Sequence, residues 1–135
     1  MKFTLAYWCI LFAALLPLCC AGIGKWGLFK VPRRDGGFDN EHPRAWWDKQ
    51  SGYRARANAA QHNTFEALPF FFTAVVIAHV LKAPQAAVDL LAFLWVLLRC
   101  AYVLLYVGNL ASVRSVVWTA ALLVNIGILL LGMLR

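Results

Sequence analysis

Residues 3–24 read FTLAYWCILFAALLPLCCAGIG and carry no charge. A helix needs about 20 mostly apolar residues to cross the hydrocarbon core of a bilayer. This run is long enough to span, and too long for an ordinary amphipathic core helix. Residues 115–134, SVVWTAALLVNIGILLLGML, make a second such run near the other end of the chain.

Between them lie two apolar runs broken by polar groups. One extends from Ala57 to Leu81 and contains His62, Asn63 and Glu66. The other extends from Ala83 to Gly108 and contains Asp89 and Arg99. Ionisable groups within a span are costly and face protein or water rather than lipid. Both runs therefore read as spans whose polar residues point into a bundle. The expected fold is all-α, an integral membrane four-helix bundle in one domain over residues 1–135. Its spans cover about 3–24, 54–81, 85–108 and 114–134, and a long loop covers 25–53.

Composition agrees with this. The chain is 62% hydrophobic and 14% charged, against about 45–50% and about 25% for a soluble domain. Met1-Lys2 before the first run resembles the start of a secretory signal, but the run is longer than a signal core and no small-x-small cleavage site ends it. The reading is an uncleaved first helix. Cys9, Cys19, Cys20 and Cys100 all fall inside spans, without Cys-x-x-Cys or Cys/His spacing. They predict neither a disulfide framework nor a metal site.

Charge sets the orientation. The first loop and its flanks hold Lys25, Lys30, Arg33, Arg34, Arg44, Lys49, Arg54 and Arg56, opposed by Asp35, Asp39, Glu41 and Asp48. The turn at Lys82 has one basic residue. Basic residues concentrate in cytoplasmic loops, so the long loop is expected in the cytoplasm and both termini on the other side. The net charge of +7 comes largely from this loop and suits contact with anionic lipid head groups. Nucleic-acid binding is a poor reading, because no soluble domain presents the charge. Pro32, Gly36-Gly37 and His42-Pro43 predict an irregular loop. Pro69 is expected to kink the second span.

Helical periodicity puts Arg56, Ala59, Asn63 and Glu66 on one face of the second span, with His62 and Pro69 on another. Arg99, Tyr102 and Tyr106 share a face of the third span, and Arg114, Trp118 and Asn125 a face of the fourth. Two readings compete. In one, these groups line a polar pocket for an anionic, polyfunctional small molecule: arginine forks bind carboxylates, a glutamate holds an ammonium, and an arginine beside a thiol stabilises the thiolate. In the other, Arg99 and Glu66 pair across helices and Asn63 hydrogen-bonds only to hold the bundle together. Asp89 and His79 belong to the second reading.

The stretch Arg56-Ala57-Asn58-Ala59-Ala60-Gln61-His62-Asn63-Thr64-Phe65-Glu66-Ala67-Leu68-Pro69-Phe70 resembles the MAPEG family, the membrane-associated proteins in eicosanoid and glutathione metabolism. The resemblance continues at Arg99-Cys100-Ala101-Tyr102, Tyr106 and Arg114-Ser115, in order and over nearly the whole chain. The bacterial branch is most similar, which implies a bacterial inner membrane. The family implies a left-handed four-helix bundle assembled as a homotrimer, with glutathione bound between subunits near the cytosolic face. Carried across, Arg56, Asn63, Glu66, Arg99, Tyr102 and Tyr106 bind glutathione. Arg114 stabilises its thiolate with Ser115 alongside, and a lipophilic electrophile arrives from the bilayer. The chain departs from the family's eicosanoid synthases at Ala59, where they carry an arginine, and at Trp118, where some carry a tyrosine. Both differences argue against eicosanoid synthesis. The implied activity is glutathione transfer to, or peroxidase action on, lipophilic electrophiles. The alternatives are a non-enzymatic scaffold or lipid-binding protein that keeps the fold and, behind it, a small transporter.

Overall fold

In the computed structural model, which describes residues 2–134, the long apolar runs are helices: α1 (Leu5–Lys25), α3 (Gly52–Val80), α4 (Gln85–Val107) and α5 (Ala111–Leu131), with a short α2 (Pro43–Asp48) in the first loop. All four long helices are long and apolar enough to cross a membrane.

The distribution of side-chain size is that of a protein in lipid. On α1 the buried stripe is Ala6, Cys9, Ala13, Leu16, Pro17, Cys20 and Gly24, while Trp8, Leu11, Phe12, Leu15 and Leu18 point outward. Small residues let helix backbones approach closely, and large apolar ones lose nothing by facing lipid tails. In α3 the same stripe runs Ala57, Ala60, Thr64, Leu68, Phe71, Ala74, Val75 and Ala78. The chain is an integral membrane protein of four helices. Both α1 and α5 pack on the α3–α4 pair, and they do not touch each other among the described residues. The Phe71 and Trp95 rings stack 3.9 Å apart where α3 crosses α4.

Polar side chains tie the helix ends. Asp89 Oδ1 accepts from the Ala6 amide at 2.9 Å and from Gln85 Nε2 at 2.8 Å, joining the first turns of α1 and α4. At the other end, Arg54 donates to the Gly24 and Trp26 carbonyls, both at 2.9 Å. These are the carbonyls that a helix C-terminus leaves without partners.

The loop departs from the expectation of irregular chain. Pro43 begins α2 instead of breaking it, because the first position of a helix has no use for its amide and favours proline's fixed φ. Trp46 is buried under this turn, edge-on to both Phe38 and Trp47. Gly36, at φ +91, closes the 3-10 turn Arg33–Asp35 in the left-handed conformation that glycine adopts freely. Gly24 has no room for a Cβ, which would fall 2.7 Å from Trp47 Cζ3. Pro69 sits on the exposed side of α3, which stays helical across it. Pro17 is tolerated likewise in α1. In the loop, Arg33 reaches Glu41 at 3.0 Å and Asp39 at 3.6 Å.

Candidate functional site: a polar groove between α3 and α5

A groove of about 800 Å³ opens between α3 and α5 at the end of the bundle that carries the long loop. Asn58, Ala59, His62, Asn63 and Glu66 line it from α3. Arg114, Ser115, Trp118 and Thr119 line it from α5, and Tyr102 and Tyr106 of α4 lie between.

Six of the eight predicted site residues meet here. The register of the α3 stripe differs from the one expected. Asn58, His62 and Glu66, one turn apart, join the adjacent pair Ala59 and Asn63, so His62 enters the groove. Arg56 leaves it, because its Nε donates to the Val107 carbonyl at 3.0 Å and caps α4. A stripe rotated by about 50°, at 100° per residue, gives the observed membership; the arginine at its head pulled the expected stripe off that centre. Asn58 and Thr119 were missed altogether. Small or weakly polar residues give no signal until the facing helix is known.

Arg99 also lies outside the groove. It is 2% exposed, and its Nη2 donates to Asn63 Oδ1 at 2.9 Å and to Thr64 Oγ1 at 3.2 Å. The expected alternative pairing of Arg99 with Glu66 does not form. Among the described residues every ion pair lies in the loop between Arg33 and His42. Glu66 stands exposed in the groove.

The four groups of the arginine–tyrosine set make a ladder. The Arg99 guanidinium lies 4.2 Å over the Tyr102 ring, Tyr102 meets Tyr106 edge-on at 5.7 Å, and the Arg114 guanidinium lies 4.2 Å over Tyr106. Cation–π contact holds a guanidinium in place without neutralising it. Among the described residues Arg114 has no acidic partner, so it stands fixed in the groove wall, able to receive an anion. The Ser115 hydroxyl donates to the Ala111 carbonyl at 3.1 Å, which leaves its oxygen lone pairs free to accept.

Outside the groove, Asp39, Glu41 and His42 bring their ligand atoms within 4.8 Å of one another. Arg33 supplies the positive charge that this cluster needs.

Residues 5–134 match the model of the MAPEG family. No curated protein and no solved structure gives a significant match. The match covers nearly every residue of the four helices and the whole groove, and the chain belongs to the MAPEG family, whose members are membrane proteins of eicosanoid and glutathione metabolism.

Proposed function

We propose that the protein is a membrane glutathione transferase or glutathione-dependent peroxidase acting on lipophilic electrophiles. The observation that carries the reading is Arg114, fixed over Tyr106 with no acidic partner among the described residues, across a groove from Glu66 and Asn63. Glutathione brings two carboxylates, one ammonium and one thiol. Glu66 suits the ammonium, and Asn63 and the tyrosine hydroxyls suit its backbone. Arg114 stabilises the thiolate, which lowers the thiol pKa and keeps the nucleophile charged at neutral pH. Ser115, whose own proton goes to the Ala111 carbonyl, can accept from a glutathione amide N–H beside it. In transfer, the sulfur forms a bond to the electrophilic carbon as the leaving group departs with its electron pair. With a hydroperoxide, the thiolate sulfur takes the distal oxygen as the O–O bond breaks and the alkoxide leaves, taking a proton from water to become the alcohol; the sulfenic acid then reacts with a second glutathione thiol to give the disulfide and water.

The groove offers fewer cations than glutathione has carboxylates, since Ala59 supplies none and Arg56 caps α4. A homotrimer resolves this, with a neighbouring subunit's basic loop completing the site. Two observations support a neighbour. Glu66 and Ser115 are exposed within the spans, and α5 buries only Ala121, Asn125 and Ile128 within its own chain. The long loop and its flanks, from Lys25 to Arg56, hold eight of the thirteen basic residues, which favours the cytoplasmic side of a bacterial inner membrane. On this reading the groove faces the cytosolic glutathione pool, and the electrophile enters from the lipid.

The test is the ultraviolet thiolate absorbance of glutathione bound to the purified protein at pH 7. The wild type is expected to show it and Arg114→Ala to lose it, with turnover falling by about 10²–10³, the usual effect of removing one charge-stabilising donor. Unchanged absorbance and turnover in the variant would remove Arg114 from the chemistry.

A further inference from the structure

Glutathione with an ionised thiol brings three anionic groups, the thiolate and two carboxylates. Arg114 is the one arginine or lysine in the groove lining, and the thiolate takes it. Ala59 supplies no charge, and Arg56 is held by the Val107 carbonyl. One more residue of this chain can become positive there, His62. Of the three histidines it alone lines the groove. His42 lies in the loop against Asp39, and His79 stacks on Tyr7 at the other end of α3.

His62 stands one helical turn before Glu66, and both side chains are exposed in the groove. Residues four apart on a helix hold their Cβ atoms about 5–6 Å from each other. The two are neighbours, yet they form no ion pair, since among the described residues every such pair lies in the loop. A carboxylate and an imidazole placed side by side, and free of each other, suit a ligand that carries both charges close together. An α-amino acid head group does so, with its ammonium and carboxylate on one carbon. The γ-glutamyl end of glutathione is such a head group. With its ammonium on Glu66, its carboxylate falls beside His62.

We propose that protonated His62 binds the α-carboxylate of the γ-glutamyl end while Glu66 holds the ammonium, which makes occupancy of the groove proton-linked. The inference rests on the reading of the groove as a glutathione site. The titratable and charged groups that share the groove with His62 are Glu66 on its own helix, Tyr102 and Tyr106 on α4, and Arg114 on α5. Histidine changes charge between about pH 5 and about pH 8, while glutamate, tyrosine and arginine ordinarily titrate outside that window. The protonated ring attracts the carboxylate, so this contact strengthens as pH falls. A bound thiolate responds in the opposite sense, because falling pH protonates it. A probe without an ionisable thiol separates the two.

The experiment titrates S-methylglutathione, a thioether, into the detergent-purified protein by calorimetry at about pH 7.4 and about pH 5.6. The wild type is expected to bind about fivefold tighter at the lower pH, the effect of one exposed ion pair. His62→Asn is expected to bind with the weaker affinity at both pH values, and His62→Lys, charged throughout, with the tighter one at both. Equal wild-type affinities at the two pH values would overturn the proposal, as would a pH step that persists undiminished in His62→Asn. Either result leaves the glutathione reading standing, because binding itself is then observed. Absence of saturable binding to folded wild type at both pH values would also overturn it, and glutathione titrated in the same buffers shows whether the reading of the groove falls with it.

Discussion

Replacing Arg99 by methionine separates a functional cation from bundle glue. The substitution removes two charged-donor hydrogen bonds, to Asn63 and Thr64, worth about 1.5–3 kcal/mol each. It also removes the contact with Tyr102, worth about 2 kcal/mol when desolvated. Against this, no carboxylate is left unpaired, since both partners are neutral. The substitution lifts the desolvation penalty of a buried cation, several kcal/mol, and the cost of its Nε, which is buried without a hydrogen-bond partner, about 1–3 kcal/mol. Methionine fills much of the volume. The two sides nearly cancel, so Arg99→Met is expected to unfold within about 2 kcal/mol of wild type. The assay is reversible unfolding in mixed micelles, with Arg99→Ala as the cavity-forming comparison, expected to cost about 2–5 kcal/mol more. A loss above about 4 kcal/mol in the methionine variant would refute the reasoning, because the arginine would then be a net structural element.

Three other outcomes follow from the packing. Asp89→Leu is expected to cost about 1.5–3 kcal/mol, since it strips the carboxylate from the Ala6 amide and from Gln85. Amide exchange at the start of α1 should rise with it, and unchanged exchange there would contradict the tie. Gly24→Ala is expected to push the Trp47 ring off α1 at about 1–3 kcal/mol, seen as a red-shifted tryptophan emission that Gly22→Ala, with open space around it, does not produce. In the loop, desolvation draws the Asp39 pKa upward but is outweighed by the Glu41 and His42 amides, the Arg33 charge and the His42 ring, which hold it below the ordinary aspartate range. A lowered carboxylate pKa stabilises above the ordinary value, and that contribution is lost as pH falls through the lowered one. Proteolysis of the 30–42 segment should therefore quicken at acid pH in the wild type and show no such step in Asp39→Asn.

The four helices could be read from run length alone, because a bilayer demands about 20 apolar residues whatever their order. The lining of the candidate groove was legible where chemistry forced it: a carboxylate, an asparagine and an arginine inside spans have few places to go. Their detailed arrangement was not. Arg56 and Arg114 look alike in sequence, yet one caps α4 and the other stands free, and the difference lies in where the Val107 carbonyl ends up. His62 belongs to the groove because α5 packs beside that face of α3, a fact of helix rotation that period 3.6 alone does not fix. Helix α2 was hidden because His42-Pro43 reads equally as a break or as a helix start. Its burial depends on Trp46 finding Phe38, a contact that sequence spacing does not show. Asp89 was rightly set aside as structural, while its partner, a backbone amide on another helix, leaves no mark in the sequence.

Calorimetric titration of glutathione into the detergent-purified wild type and Glu66→Gln tests the central claim most directly. The account predicts saturable binding to the wild type and at least about tenfold weaker binding to the variant, because removing one charged partner of an ammonium costs about 1.5–3 kcal/mol. Absence of binding to folded wild type at millimolar glutathione would contradict it and leave the groove as part of a non-enzymatic membrane scaffold.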